Sequence, residues 1–357
     1  MPIDVRSDTV TQPTPGMKKA MLEAPLGDDV LDGDPTTKKL QILAAKMFGK
    51  EDALFFPTGT MANLCAMMAW TNRGEGILTG DLNHVVFYEQ GGMSQIGGVP
   101  NFQLPILSDS TFDLDLFEKK LKTFAPIDPG RDIDQHHVKI SCVALETPST
   151  QNKGICYPMD FPIKVRELCD KHKIGIHLDG ARCFNAIHKH GLFFEENFSG
   201  ISKFSEPYDS ISLCLSKSVG APVGSLLIGT KNFIAKARRI RKALGGTMRQ
   251  SGILAAAGIY GLEHNAPRMG QDNKNAKKIC DFAVNELGLE AECETNGVFI
   301  MVEDNFKMVS DLKDKGILAT AAPPNMVRMM CHLHIGDGEV IVEQNRGTTG
   351  TAKGTNR

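Results

Sequence analysis

The sequence predicts an α/β protein: one large domain on a mostly parallel sheet flanked by helices, then a smaller C-terminal α/β domain. Three observations lead there. From about residue 36, stretches of helical period alternate with short apolar, β-branched runs, the pattern of a parallel sheet covered by helices. The chain has 357 residues, enough for about two domains. Past residue 249 the alternation restarts on a smaller scale.

Residues 1–20 contain Pro13 and Pro15 and read as an extended strap across the surface, not as a core helix. Helices are expected at 36–48, 61–70, 114–123, 161–172 and 233–244. Strands are expected at 53–56, 138–145, 174–178, 210–215 and 224–228, each too short for a helix. These elements fill a large domain, 21–248. An Ala- and Gly-rich helix, a charged helix over 272–287 and strands near 297–302 and 327–330 make a small domain, 249–346. The stretch 347–357 is rich in Gly and Thr and is expected to be disordered.

Hydrophobic residues make up 41% of the chain, enough to fill a sizeable core. The 40 basic and 42 acidic residues leave a net charge of -2, so no global field draws nucleic acid or an anionic membrane, and a small molecule is the expected partner. The 9 cysteines form no Cys-x-x-Cys pair, which argues against a disulfide framework and a zinc knuckle and for a reducing compartment. The first residues lack an apolar signal core, and no apolar run approaches membrane-spanning length; the sequence reads as cytoplasmic. The basic run Lys236, Arg238, Arg239, Arg241 and Lys242 reads as a solvated helix face. His332 and His334 have the spacing of two ligands on one strand face, but no further ligands can be placed, so no metal is expected.

Three separate signals converge on one cofactor chemistry. Lys217 follows an apolar strand and precedes Gly220-Ala221-Pro222-Val223-Gly224; desolvation there favours the neutral amine that attacks an aldehyde, although a loop lysine is more often simply exposed. Asp179 ends the apolar run Ile176-His177-Leu178, where an acid can pair with a protonated pyridine nitrogen or merely cap a helix. Thr58-Gly59-Thr60 opens a helix after a strand and offers a phosphate cup, or just an N-cap. All three fall at strand C-termini, where open α/β sheets bind ligands.

At this point the motifs match a family. Arg6-Ser7-Asp8-Thr9-Val10-Thr11, Gly27-Asp28-Asp29-Val30, Asp34-Pro35-Thr36, Pro57-Thr58-Gly59-Thr60-Met61-Ala62-Asn63, Asp179-Gly180-Ala181-Arg182, Leu215-Ser216-Lys217 and Gly245-Gly246-Thr247-Met248-Arg249-Gln250 resemble, in order, the low-specificity L-threonine aldolases. The resemblance implies the fold type I architecture of pyridoxal-phosphate (PLP) enzymes and retro-aldol cleavage of L-threonine or L-allo-threonine. It implies Lys217 as the Schiff-base lysine, Asp179 on the pyridine nitrogen, and Gly59 and Thr60 on the phosphate. His84 would stack on the ring as a candidate acid/base, with Arg249 near the phosphate and a subunit interface. Ser7, Arg182 and Arg328 would hold the substrate carboxylate, and the protein would be a homotetramer, a dimer of dimers. Two positions depart from the family: Ser149 stands where a second active-site histidine is usual, and Leu31 where a tyrosine is usual. The helix the family carries after Gly336 gives way to the Gly/Thr stretch. Competing readings are a β-eliminating lyase, an aldolase for bulkier β-hydroxy amino acids, and a non-catalytic PLP-binding form.

Overall fold

A computed structural model describes residues 2–125, 135–192, 196–336, 338 and 340. Its central feature is a seven-stranded sheet in the order β2-β8-β7-β6-β5-β3-β4. The strands are β2 (Asp52–Phe56), β3 (Glu75–Gly80), β4 (Asn101–Leu104), β5 (Lys139–Glu146), β6 (Gly175–Asp179), β7 (Ser210–Cys214) and β8 (Ser225–Gly229), with β1 (Ile3–Asp4) elsewhere. Only β8 runs antiparallel to its neighbours. Alternation along each strand feeds two cores: Ala53 and Phe55 pack into one cluster with Leu40, Phe117 and Phe184, while Leu54 and Phe56 face another with Ala62, Cys65 and Phe233.

The covering helices begin at side-chain caps. Asp34 accepts from the Thr37 N–H and has Pro35 in the first turn, Asp113 caps Leu114–Phe124, and Thr230 caps Lys231–Ala243. Helix Phe161–His172 stops at Lys173, whose φ of 56° is left-handed.

A second core lies around the antiparallel sheet β12-β13-β10-β9, made of β9 (Glu290–Glu292), β10 (Gly297–Met301), β12 (Thr320–Ala322) and β13 (Met326–Met330). Helix Met269–Asn285 contributes Ala276, Ile279, Cys280 and Ala283 to it. Ile3 and Val5 join the same cluster, because β1 pairs in parallel with β11 (Ile317–Leu318).

Three expectations need correction. The segment before residue 20 contains a helix, Pro15–Leu22, capped by Thr14 and burying Met17. Pro15 sits at the helix start, where its missing N–H costs nothing. The basic run is not wholly solvated: Arg241 is buried, donating to the Phe55 carbonyl at 2.5 Å and pairing with Asp29 at 2.9 Å. The sequence pattern also missed β3 and β4. The stretch expected to be disordered, 347–357, lies outside the described residues. Among the described residues, no helix is long and apolar enough to cross a membrane.

Candidate active site

One edge of the seven-stranded sheet collects the chemistry. Register sets Glu146 of β5 beside Asp179 of β6, and Asp179 beside Ser212 of β7. Lys217 follows the end of β7, His84 follows β3, and β2 runs through Thr58 into helix Gly59–Trp70. Strand C-termini thus bring together lysine, aspartate, histidine and helix start.

A polar network organises the centre. Asn63 donates to Glu89 at 2.9 Å and to Asp179 at 2.8 Å, and its own carbonyl lies 3.4 Å from His177. The Ala181 N–H donates to the other Asp179 oxygen. His84 Nδ1 bonds Glu89 at 2.9 Å, while the His84 N–H donates to Glu146 at 2.5 Å. Burial opposes charge on His84, but the Glu89 hydrogen bond and the charges of Asp179, Glu89 and Glu146 outweigh it and raise its pKa. Glu146 is pushed up to about 7 by burial and by the charge of Asp179. Burial lowers His177 to about 4, so it serves as a neutral link.

The helix start shows the N-cap reading of Thr58-Gly59-Thr60 and leaves room for the phosphate cup. Thr58 caps the helix by accepting from the Met61 N–H, and helical geometry leaves the Gly59 and Thr60 N–H groups without intrahelical acceptors. Nearby, the Ser225 hydroxyl is buried with no hydrogen-bond partner among the described residues; a Cβ built on Gly59 would lie 3.3 Å from it. Two free N–H groups and an unmet hydroxyl at a helix N-terminus fit a phosphate. Gly246 packs so closely on Met61 that a Cβ there would meet its sulfur at 2.1 Å, which holds the loop carrying Arg249 against this helix. The Arg249 side chain itself is more than half exposed and pairs with Asp28 at 3.0 Å.

At the other end, Arg182 is gripped by Asp8: Nε and Nη2 donate to its carboxylate at 2.7 and 2.8 Å, and Nη1 donates to the Thr150 hydroxyl at 3.0 Å. Burial would raise the Asp8 pKa, but the Arg182 guanidinium and the Lys217 charge hold it well below the usual carboxylate range. Arg328, on β13, is different. Its Nη2 donates to the Arg6 carbonyl at 3.2 Å, but Nε is buried without a partner among the described residues. Burial and the neighbouring Arg182 charge lower its pKa against the pull of Asp8, and no ion pair to this guanidinium forms among the described residues. Ser7 serves locally, its hydroxyl accepting from the Thr9 N–H and capping the turn Asp8–Val10.

Sequence reasoning passed over Asp8, Asn63, Glu89 and Tyr88. Asp8 and Asn63 lay inside the quoted motifs, where buried polar residues beside charged ones were the available signal. The Tyr88 ring lies 5.3 Å from His84, and its hydroxyl donates to Gln151 at 2.6 Å. Ser149 is buried beside Ile106, Phe112 and Tyr157, with its hydroxyl 3.4 Å from the Asn152 N–H. Leu31 is exposed.

His84, Glu89 and Asp179 place one potential ligand atom each within 4.8 Å of one another. Hydrogen bonds among them and Asn63 engage Glu89 Oε1, Asp179 Oδ2 and His84 Nδ1. His332 and His334 instead point Nε2 at the carbonyls of Asp4 and Gln12.

The fold and this arrangement of residues fit a fold type I pyridoxal-phosphate enzyme. Comparisons with known proteins narrow the class. The chain belongs to the beta-eliminating lyase family, whose model matches residues 4–305. It is 38% identical to the low specificity L-threonine aldolase of Escherichia coli K12, covering 93% of this chain and 94% of that protein. It is 37% identical to low-specificity L-threonine aldolase 1 of Arabidopsis thaliana, covering 95% and 93%. Among solved structures, Leishmania major threonine aldolase superposes with a TM-score of 0.78 at 18% identity, covering 97% of this chain and 99% of that one. Sphingomonas wittichii serine palmitoyltransferase gives 0.72 at 18% identity, covering 98% and 88%, which shows a shared fold.

Proposed function

We propose that the protein is a PLP-dependent aldolase that cleaves L-threonine and L-allo-threonine to glycine and acetaldehyde. The observation that carries this reading is one sheet edge bearing Lys217, Asp179 and the free first-turn N–H groups of Gly59 and Thr60, together with an Arg328 Nε that is buried and unmet among the described residues. The names of the relatives support the same substrate class.

Pyridoxal phosphate, when bound, supplies an electron sink for the pair released at Cα. The chain's residues do the rest. Lys217 would hold the cofactor covalently, Asp179 would pair with its ring nitrogen, and Gly59 and Thr60, with Arg249 nearby, would hold its phosphate. Arg328 takes the substrate carboxylate as a fork, with Ser7 and Arg182 beside it, and so fixes which Cα bond is broken. His84, tied through Nδ1 to Glu89, has Nε2 left to take the β-hydroxyl proton as the Cα–Cβ bond breaks.

We read the large domain as 21–248 and the small domain as 249–346, with 1–20 spanning both. We also read the protein as a cytoplasmic homotetramer. Nine cysteines, none of them in a disulfide, support a reducing compartment, and exposed Leu22, Leu31 and Ile42 support burial in an assembly.

Incubation with L-threonine tests the reaction. Equal amounts of glycine and acetaldehyde are expected. A keto acid with ammonia would instead establish β-elimination, and no product at all would establish a non-catalytic protein.

A further inference from the structure

Lys217 sits in a turn just past the last β7–β8 ladder pair, Cys214 with Ser225, where the Leu215 N–H still donates to the Gly224 carbonyl and the Gly220 N–H to the Lys217 carbonyl at 2.8 Å. Elements from outside the sheet also hold the turn. The Thr11 hydroxyl donates to the Lys217 carbonyl at 2.9 Å, and the Asn265 amide donates to the Val219 carbonyl at 2.8 Å. Between these ties lies Ser218, 2% exposed, whose hydroxyl has no well-formed hydrogen bond among the described residues.

Helix Met269–Asn285 brings Asp272, 0% exposed, to this hydroxyl. Asp272 Oδ1 accepts from Arg268 at 2.5 Å, while Oδ2 is buried without a well-formed hydrogen bond among the described residues. Three groups face the carboxyl: Arg268 beside it, Ser218 from the lysine turn, and Asp8 from the N-terminal segment. Burial pushes it up to about 6 against the pull of Arg268 and of the Ser218 hydroxyl. Asp8 is an acceptor already committed to Arg182; the donors beside the carboxyl are Arg268, whose Nη1 is also buried without a partner among the described residues, and the Ser218 hydroxyl from the lysine turn. A buried donor and a buried acceptor, both unmet, therefore meet where the lysine turn abuts the helix.

We propose that Asp272 is a positioning residue for Lys217, acting through a hydrogen bond from Ser218 that fixes the lysine turn against helix Met269–Asn285. Unmet buried polar groups are costly, and pairing relieves both at once. Ser218 is covalently next to Lys217, so its placement sets where the amine points. This inference rests on Lys217 being the cofactor lysine.

The test uses PLP-loaded protein carrying Ser218→Ala, Ser218→Thr, Asp272→Asn, or the Ala and Asn changes together. Glycine is added to displace the lysine and then diluted away, and the rate at which the lysine–cofactor absorbance returns is followed. Ser218→Ala and Asp272→Asn should slow the return about tenfold to a hundredfold, the scale of a misplaced reacting group. The double variant should be no slower than the slower single, Ser218→Thr should return near the parent rate, and PLP affinity should hold. A parent-like rate in Ser218→Ala, or slowing that multiplies in the double variant, would overturn the proposal. Should Asp272→Asn fail to fold, Ser218→Ala with its Thr rescue decides. Borohydride labelling of a different lysine would overturn the reading of Lys217 itself.

Discussion

Arg328→Ala removes the guanidinium whose Nε is buried and unmet. An amino-acid carboxylate docking there would gain up to two charge-assisted hydrogen bonds, from Nε and one Nη, because Nη2 also serves the Arg6 carbonyl at 3.2 Å. At roughly 1.5–3 kcal/mol per charged hydrogen bond, discounted for a half-buried site, the fork contributes about 2–4 kcal/mol. That corresponds to a loss of roughly 30-fold to 700-fold in amino-acid affinity. The assay is the KM for L-threonine together with glycine binding, with PLP affinity as the control. Because no cofactor-binding role is assigned to Arg328, PLP should stay bound. A variant that loses PLP and keeps its substrate affinity would refute the reasoning.

Asp8→Asn should strand the buried Arg182 charge and destabilise the protein by about 3–5 kcal/mol in urea melts at neutral pH. Because the Asp8 pKa is depressed, its contribution is present above the ordinary carboxylate range and lost as pH falls through the folded value; the variant should show a shallower acid limb, and an unchanged limb would contradict the pairing. Glu146 shifts the opposite way: its raised pKa means that its contribution is full below the ordinary value of 4.5 and lost as pH rises through about 7. Glu146→Gln should remove that fall between pH 4.5 and 7, and a persisting slope would assign it to another group. His84→Ala should lower turnover on every substrate by about a hundredfold to ten-thousandfold, whereas Ser149→His should change the preference between threonine and a bulkier β-hydroxy amino acid more than the rate on threonine. Activity that appears only after Ser149→His would contradict this division of roles.

The parallel sheet was legible because its central strands are short, largely apolar and buried on both faces, with helices of clear period between them. β3 escaped notice because Glu75-Gly76-Ile77-Leu78-Thr79-Gly80 has glycine at two of its positions, and β4 because Asn101-Phe102-Gln103-Leu104 is short and half polar. The early helix was hidden by Pro15, which reads as a breaker until Thr14 is seen as a cap. In the site, sequence located the residues that cofactor chemistry names, Lys217 and Asp179, because each follows a recognisable strand. The residues that hold others in place were not legible. Asp8 matters through a partner 174 positions away, and Asn63 through bonds to Glu89 and Asp179 that only the folded sheet edge creates.

The chemistry proposed for the site depends above all on Lys217. Borohydride reduction of PLP-loaded protein, followed by digestion and mass analysis, should place one pyridoxyl group per chain on Lys217, and Lys217→Ala should fix none while still binding PLP through the Gly59–Thr60 turn. A pyridoxyl group on another lysine of the parent protein, or stoichiometric labelling of the Lys217→Ala variant, would contradict the account.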